Sequence, residues 1–232
     1  MTRILLLGHG RMGTLVEQWA RERCCQIAAI VTRHDQLAQC IGSRGPFDVA
    51  IDFSTPEALP ANLPVLAERG INAVIGTTGW QALEGEMRAL VEQAGIGVLA
   101  ASNFSVGLHI FRKAVTQAAA GFAAQQSVGA WVHEAHHFAK KDAPSGTALT
   151  LKQTMADAGY ARGIDVSSTR AGSIPGTHTV GFDGPSETVT LTHIVRDRAV
   201  FAQGALDVAR WIVGRRGWLT MDDYLSDRRP GL

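Results

Sequence analysis

Short apolar runs and helical stripes alternate along the first part of the chain. Ile4 to Leu7 is a continuous apolar run, the pattern of a strand buried on both faces. Met12, Leu15, Val16 and Trp19 then recur at helical spacing. Further strands are predicted at 26–32, 48–53, 73–75 and 97–100, with a helical stripe at Met87, Leu90, Val91 and Ala94 before the last. Strand–helix alternation with short connections predicts an α/β fold with a parallel, doubly wound sheet and right-handed crossovers.

After Asn103 the rhythm changes. Residues 107–122 and 148–155 read as helix, and 128–134, 166–170, 177–183 and 187–194 read as strands. Four strands with few helices between them predict a mixed or antiparallel four-stranded sheet, and so a second, α+β domain. A last helical pattern near 202–213 returns the chain to its first domain. The expected division is 1–104, with 207–232 returning, and 105–206. A cleft between the lobes is expected, with hinges near 103–105 and 201–206. The longest charge-free stretch, 114–132, is broken by Gln117, Gln125, Gln126 and Ser127. It reads as helix followed by strand rather than a membrane span.

Composition narrows the function. With 46% hydrophobic and 19% charged residues, the 232-residue chain can bury a core, which excludes disorder and fibrous repeats. Lys+Arg 22 against Asp+Glu 21 leaves a formal charge of +1. No basic field favours nucleic acid or an anionic membrane, so a small-molecule partner is expected. The cysteines Cys24, Cys25 and Cys40 are odd in number and two are adjacent. They suggest no disulfide framework, and a reducing, cytoplasmic setting is expected. The Ile4 to Leu7 run is too short for an export signal.

Gly8-His9-Gly10-Arg11-Met12-Gly13 follows the first strand and opens a helix. In that position the first glycine makes the tight turn and the second lets backbone approach a pyrophosphate. The third packs helix on strand, and the N–H groups of the helix start hold the anion. The first domain is therefore expected to be Rossmann-like and to bind NADPH or NADH. The second strand ends Val31-Thr32-Arg33-His34, with a cation where an acidic residue would hold a ribose 2′-hydroxyl. Arg33 is thus the expected contact for a 2′-phosphate. Two more loops end strands at the same sheet edge, Gly76-Thr77-Thr78-Gly79 and Ala101-Ser102-Asn103-Phe104. Ligands bind outside the carboxyl ends of parallel strands, so both loops are placed at the nicotinamide end.

The densest polar cluster runs from His133 to Thr147. His133-Glu134-Ala135-His136-His137 formally matches the zinc-protease pattern H-E-x-x-H, which requires a helix. The preceding Val128 to Val132 reads as strand, where His133 and His137 would stand roughly 13 Å apart. No metal is therefore expected. The cluster reads instead as a proton and carboxylate site. Histidine as a residue type can exchange a proton near neutral pH, Lys140 adds a cation, and Ser145-Gly146-Thr147 opens a helix whose N–H groups suit a carboxylate. Arg198, beyond His193, is a candidate for substrate or cofactor, and we count it with the substrate contacts. Arg170 and His178 singly read as structural.

The run from Glu134 to Ala148, E-x-H-H-x-x-K-x-D-x-P-S-G-T-A, resembles the signature of the 4-hydroxy-tetrahydrodipicolinate (dihydrodipicolinate) reductase family. Gly10-Arg11-Met12-Gly13, Asp52-Phe53-Ser54, Gly76 to Gly79, Asn103 to Gly107, Arg170-Ala171-Gly172 and Phe201 to Ala205 resemble that family's successive loops. The glycine loop is one residue tighter than is usual there, and His193-Ile194-Val195 replaces a usual His-x-Ala. The resemblance implies NAD(P)H-dependent reduction of a heterocyclic dicarboxylate in diaminopimelate and lysine synthesis. It implies that His136 gives or accepts a proton, that Lys140 donates one, and that His137, Gly146 and Thr147 contact substrate. Gly8 to Met12, Gly76 to Thr78 and Ala101 to Phe104 become cofactor contacts. A cytoplasmic homotetramer joined through the second domain's sheet is also implied. Two rivals share the fold: an amino-acid or sugar dehydrogenase, which needs no lysine beside a histidine pair, and a nucleotide-binding redox sensor.

Overall fold

The computed structural model describes residues 1–227 and divides into two compact units. The first comprises Met1–Ser105 with the segment that returns at Ala199, and the second Val106–Arg198.

In the first unit, β1 (Thr2–Leu7), β2 (Cys25–Val31), β3 (Val49–Asp52), β4 (Asn72–Ile75), β5 (Gly97–Ala100) and β10 (Gly217–Leu219) form one sheet. Its order is β10-β5-β4-β3-β1-β2, and every neighbouring pair is parallel. Ile4, Leu5, Leu6 and the whole of β3 and β4 are buried, as a sheet covered on both faces requires. The helices are α1 (Arg11–Ala20), α2 (Leu37–Arg44), α3 (Leu59–Glu68), α4 (Glu84–Ala94), α7 (Ala199–Ile212) and α8 (Met221–Asp227). From β1 the sheet grows outward in two directions, to β2 and to β3. The switch point of the topology therefore lies at the carboxyl ends of β1 and β3.

Helix α7 packs on α1 and on β3, β4 and β5, and Ala202, Gly204, Ala205 and Leu206 are buried within it. The expected boundary at 206/207 and the expected hinge at 201–206 both fall inside this helix. The chain instead crosses between units at Ser105/Val106 and Arg198/Ala199. The reason is that α7 is one continuous helix from Ala199 to Ile212, packed along its length on the first unit. Residues 228–232 of the expected returning segment lie outside the described residues.

The second unit carries β6 (Gly129–His136), β7 (Ile164–Arg170), β8 (Thr177–Asp183) and β9 (Thr188–Ile194), in the order β7-β6-β8-β9. β6 and β7 are parallel, joined by the crossover helix α6 (Gly146–Asp157), and the other two pairs are antiparallel. The sheet is thus mixed. One face packs Val132, Val180 and Phe182 against α5 (Val106–Phe122) and α6. The other face bears Trp131, His133, Thr169, Thr179 and Thr192, with hydroxyl contacts Thr179–Thr192 at 3.1 Å and His133 Nε2–Thr169 at 3.1 Å. Among the described residues, no helix is long and apolar enough to cross a membrane.

Candidate active site

In the first unit the predicted cofactor residues lie in the loops that follow the carboxyl ends of β1, β2, β4 and β5, and only the glycine loop after β1 is at the switch point itself. Gly8 has φ +86°, and a Cβ there would stand 2.4 Å from the Phe53 carbonyl oxygen. A Cβ on Gly13 would meet the Gly8 carbonyl oxygen at 2.2 Å, so α1 lies directly on the turn. Gly10 is the N-cap of α1, makes no side-chain cap bond and has open space where a Cβ would stand. The helix's first turn holds no acidic residue and starts with Arg11. Uncapped N–H groups beside a cation are a donor set for a phosphate. His9 turns its ring aside to Glu17 (Nε2–Oε2 2.7 Å), which leaves its backbone for that role.

Arg33 is exposed beyond β2, with Nε 3.1 Å from His34 Nε2. Asp35, two residues on, folds back to accept from Thr32 N–H at 2.8 Å and its hydroxyl at 2.7 Å. Those two bonds hold its carboxyl below the usual range. Both side chains are exposed, but the Asp35 carboxylate is occupied by Thr32, whereas among the described residues the Arg33 guanidinium is engaged only with the neighbouring His34 ring.

Asp52, named in the sequence only within a loop resembling the family's, proves to tie two loops of this edge together. It is wholly buried, and its Oδ1 accepts from Ser54 N–H (2.8 Å), Ser54 Oγ (2.6 Å) and Thr77 Oγ1 (2.8 Å). It therefore ties the loop after β3 to the loop after β4. Thr77 is turned inward, and its carbonyl accepts from Trp80 Nε1 at 2.6 Å. Gly76 lies so close to Phe53 that a Cβ would stand 2.0 Å from the ring. Phe104 is buried edge-on to the same ring at 6.1 Å, and Gly204 admits its carbonyl where a Cβ would stand 2.0 Å away. Thr78 and Ser102 are exposed, Ala101 donates to the Ile75 carbonyl at 3.0 Å, and Asn103 Oδ1 accepts from Ser105 N–H at 2.8 Å.

The second unit gathers a separate cluster at the carboxyl end of β6. Successive even positions of that strand face α6, so Glu134 and His136 emerge on one side. His133 points to the opposite face, and the H-E-x-x-H spacing sits on a strand. Ser145 is the N-cap of α6, accepting from Ala148 N–H through Oγ at 3.2 Å. Gly146 and Thr147 follow as the exposed and half-buried start of that helix. Lys140 is held on the intervening loop, with Nζ 2.7 and 2.8 Å from the two oxygens of Asp142.

Glu134, Arg170 and His178 complete the cluster. Glu134 is wholly buried and accepts a forked pair from Arg170, at 2.7 Å to Oε1 and 3.0 Å to Oε2. Ser145 N–H donates to Oε1 at 3.2 Å, and His136 Nδ1 makes a short contact with Oε2. Burial alone would raise this carboxyl, but the donors Arg170, Ser168, His136 and Ser145 outweigh it and bring it down to about 2. His136 is lowered by burial against the opposing pull of Glu134, with Lys140 and Arg170 adding to the fall. His178 is buried, T-shaped to the His136 ring at 5.1 Å, and its Nε2 lies 3.2 Å from Ser145 Oγ. Burial, then the neighbouring His136, pushes it down to about 4.

The structure thus brings His136, Ser145 and the start of α6 together, with Lys140 near enough to bear on the charge of His136. His137 is half-buried at the strand's exit, and its carbonyl accepts from Lys140 N–H at 3.1 Å. Arg198 stands exposed at the last position of the second unit and takes no part in this network. The arrangement offers a cationic, helix-capped seat for a carboxylate beside two groups able to exchange protons.

Similarity to known proteins runs over nearly the whole chain. Residues 2–104 match the family described as dihydrodipicolinate reductase, N-terminus, and residues 107–225 its C-terminus. A 4-hydroxy-tetrahydrodipicolinate reductase of Stenotrophomonas maltophilia is 40% identical over 92% of this chain and 92% of its own. One from Christiangramia forsetii is 32% identical over 97% and 98%. Among solved structures, a dipicolinate-bound dihydrodipicolinate reductase of a Paenisporosarcina species superposes with TM-score 0.83 at 22% identity, covering 95% of this chain and 97% of that one. An amine dehydrogenase of Mycobacterium smegmatis shares the fold at TM-score 0.60 and 14% identity, over 95% of each chain.

Proposed function

The chain belongs to the dihydrodipicolinate reductase family, and from that premise we propose that it reduces 4-hydroxy-tetrahydrodipicolinate to tetrahydrodipicolinate with NADPH or NADH. The observation that carries this reading is the seat formed where β6 delivers His136 beside the start of α6. A dicarboxylate needs hydrogen-bond donors and cations, and the Gly146 and Thr147 N–H groups, the Ser145 hydroxyl, Lys140 and His137 would supply them from one short stretch.

The first unit fits a nicotinamide dinucleotide. Gly8, His9, Gly10, Arg11 and Met12 would hold its pyrophosphate at the uncapped start of α1. Gly76, Thr77, Thr78, Ala101, Ser102, Asn103 and Phe104 would border its nicotinamide end, and Arg33 would favour a 2′-phosphate. When bound, the nicotinamide supplies a hydride.

Hydride addition to a conjugated imine leaves negative charge on the ring, which a donor must neutralise. Lys140 donates that proton. His136, held toward its neutral form by burial, accepts or returns a proton through Nε2. His137 and the first N–H groups of α6 orient the carboxylates, and Arg198, which stands outside that network, would add a further cation only on approaching the bound substrate. The protein assembles as a homotetramer through the open face of the second unit's sheet, where Trp131, Thr179 and Thr192 stand. It works in the cytoplasm, where its free cysteines stay reduced.

Mixing the protein with NADPH and freshly generated substrate, and following near-ultraviolet absorbance, tests the reading. A fall that depends on the dicarboxylate is expected. Cofactor binding without turnover would make the protein a sensor, and turnover of an amino acid or sugar instead would make it another dehydrogenase.

A further inference from the structure

The proposed reaction gives Glu134 no role, yet three parts of the second unit meet on it. Its Oε1 accepts from Ser145 N–H, the residue that caps α6, and from Arg170 Nη2. The same Arg170 nitrogen donates to the Asp142 carbonyl, on the loop that carries Lys140. Its Oε2 contacts His136 Nδ1 from two residues back along β6. The charged and titratable groups around the pair are Arg170 from β7, Lys140 and Asp142 from the loop, and His178 from β8.

An ionised carboxylate has no hydrogen to give. The donor in the His136 contact is therefore Nδ1, and Nε2 is left as the ring's free nitrogen. A Cβ on Gly176 would stand 3.3 Å from Nε2, so a side chain at that position would crowd it. The backbone there has φ +150°, which also favours glycine. The missing side chain at Gly176 keeps that position from crowding the same nitrogen.

We propose that Glu134 is a positioning residue: its carboxylate fixes His136 in the Nδ1–H form with Nε2 available to the substrate, and through Ser145 and Arg170 it locks that ring to the carboxylate seat and the Lys140 loop. This rests on the reductase reading, since it names which nitrogen of His136 serves the reaction. Removing the carboxylate changes two things at once. The ring loses the partner that sets its tautomer, and the protonated ring loses its counter-charge.

Two measurements test it. Long-range 1H–15N correlation spectra of the folded wild-type chain, above neutral pH, read the His136 tautomer without any turnover. A proton on Nδ1 and a bare Nε2 are expected, and the Nε2–H tautomer would overturn the proposal. Steady-state kinetics of Glu134→Gln provide the second. The expected result is kcat about ten- to a hundredfold lower, the size typical of losing an orienting carboxylate, with KM within about threefold. The acid limb of the kcat/KM profile should move to lower pH. Unchanged kcat, or a loss confined to KM, rejects the role. Should Glu134→Gln fail to fold because Arg170 loses its partner, the tautomer in the wild type still decides. Should the wild type fail to reduce the dicarboxylate, the reductase reading falls while the tautomer remains measurable.

Discussion

The ring of Phe53 occupies the space that a side chain on Gly76 would need, 2.0 Å from where its Cβ would stand. The loops after β3 and β4 thus interlock at the sheet edge where the dinucleotide is proposed to lie. Gly76→Ala must push the ring aside, and with it the contact to Phe104. Overpacking of this kind should lower unfolding stability by roughly 1–3 kcal/mol and weaken NADPH binding. Chemical denaturation and a fluorescence titration of the cofactor check both effects. Wild-type values for both would show that the loops are slack.

Lys140 and His137 are assigned different tasks and should fail differently. Lys140→Ala should lower kcat by about a hundredfold, the usual worth of a positioned acid. His137→Ala should chiefly raise KM, because it removes binding rather than chemistry. Initial-rate kinetics on the two variants separate the roles, and near-normal turnover of Lys140→Ala would reject it as the proton donor.

The exposed guanidinium of Arg33, with Asp35 withdrawn onto Thr32, predicts a preference for the 2′-phosphorylated cofactor. Arg33→Ala should raise KM for NADPH while leaving that for NADH nearly constant. The ratio of the two efficiencies is the measurement, and an unchanged ratio removes Arg33 from the site.

Acid should weaken the second unit before it weakens the first. His178 sits at about 4 in the folded protein against 6.5 for the free side chain. Below 6.5 the unfolded chain takes up the proton first, so stability is full above that value and is lost as pH falls through about 4. His136 and His193 are lowered by burial and act in the same direction. Between neutral pH and about pH 5, His178 alone should contribute a loss of roughly 2 kcal/mol. Thermal melts at the two pH values check it, and His178→Gln should flatten the dependence. Parallel curves for variant and wild type would remove His178 as the cause.

The open face of the second sheet presents the Thr179–Thr192 hydroxyl pair beside Trp131. Placing two carboxylates there, in the double variant Thr179→Glu/Thr192→Glu, should dissociate the proposed tetramer. Sedimentation velocity reads the outcome, and a tetramer that survives would direct the interface elsewhere.

The elements that read clearly in the sequence are those whose burial is local. Ile4 to Leu7 announces β1 because a central parallel strand is apolar throughout, and Gly8 to Gly13 announces the turn that follows it. Helix α2 gave no such signal, since only Leu37 and Ile41 are buried along it. Helix α3 is obscured by Pro60 near its start and Pro64 inside it. Strand β10 has three residues, starts at a glycine and exists through its pairing with β5. The site divides in the same way. His136, Lys140 and the Ser145-Gly146-Thr147 cap are legible because one continuous stretch carries them. Arg170 and His178 are not, because they reach Glu134 through the registers of β7 and β8 on β6, which no spacing in the chain encodes. Asp52 stands in a loop that the resemblance picked out, but its bridging role was not legible, because its partners Ser54 and Thr77 come from two different loops.

The fork of Arg170 on Glu134 spans thirty-six positions of sequence and closes only when α6 has carried the chain across and β7 has docked alongside β6. The stretch from Glu134 to Ala148 is for that reason not a portable module. Transplanted onto another scaffold it would keep its lettering and lose its buried counter-ion, so the chemistry travels with the whole sheet or not at all.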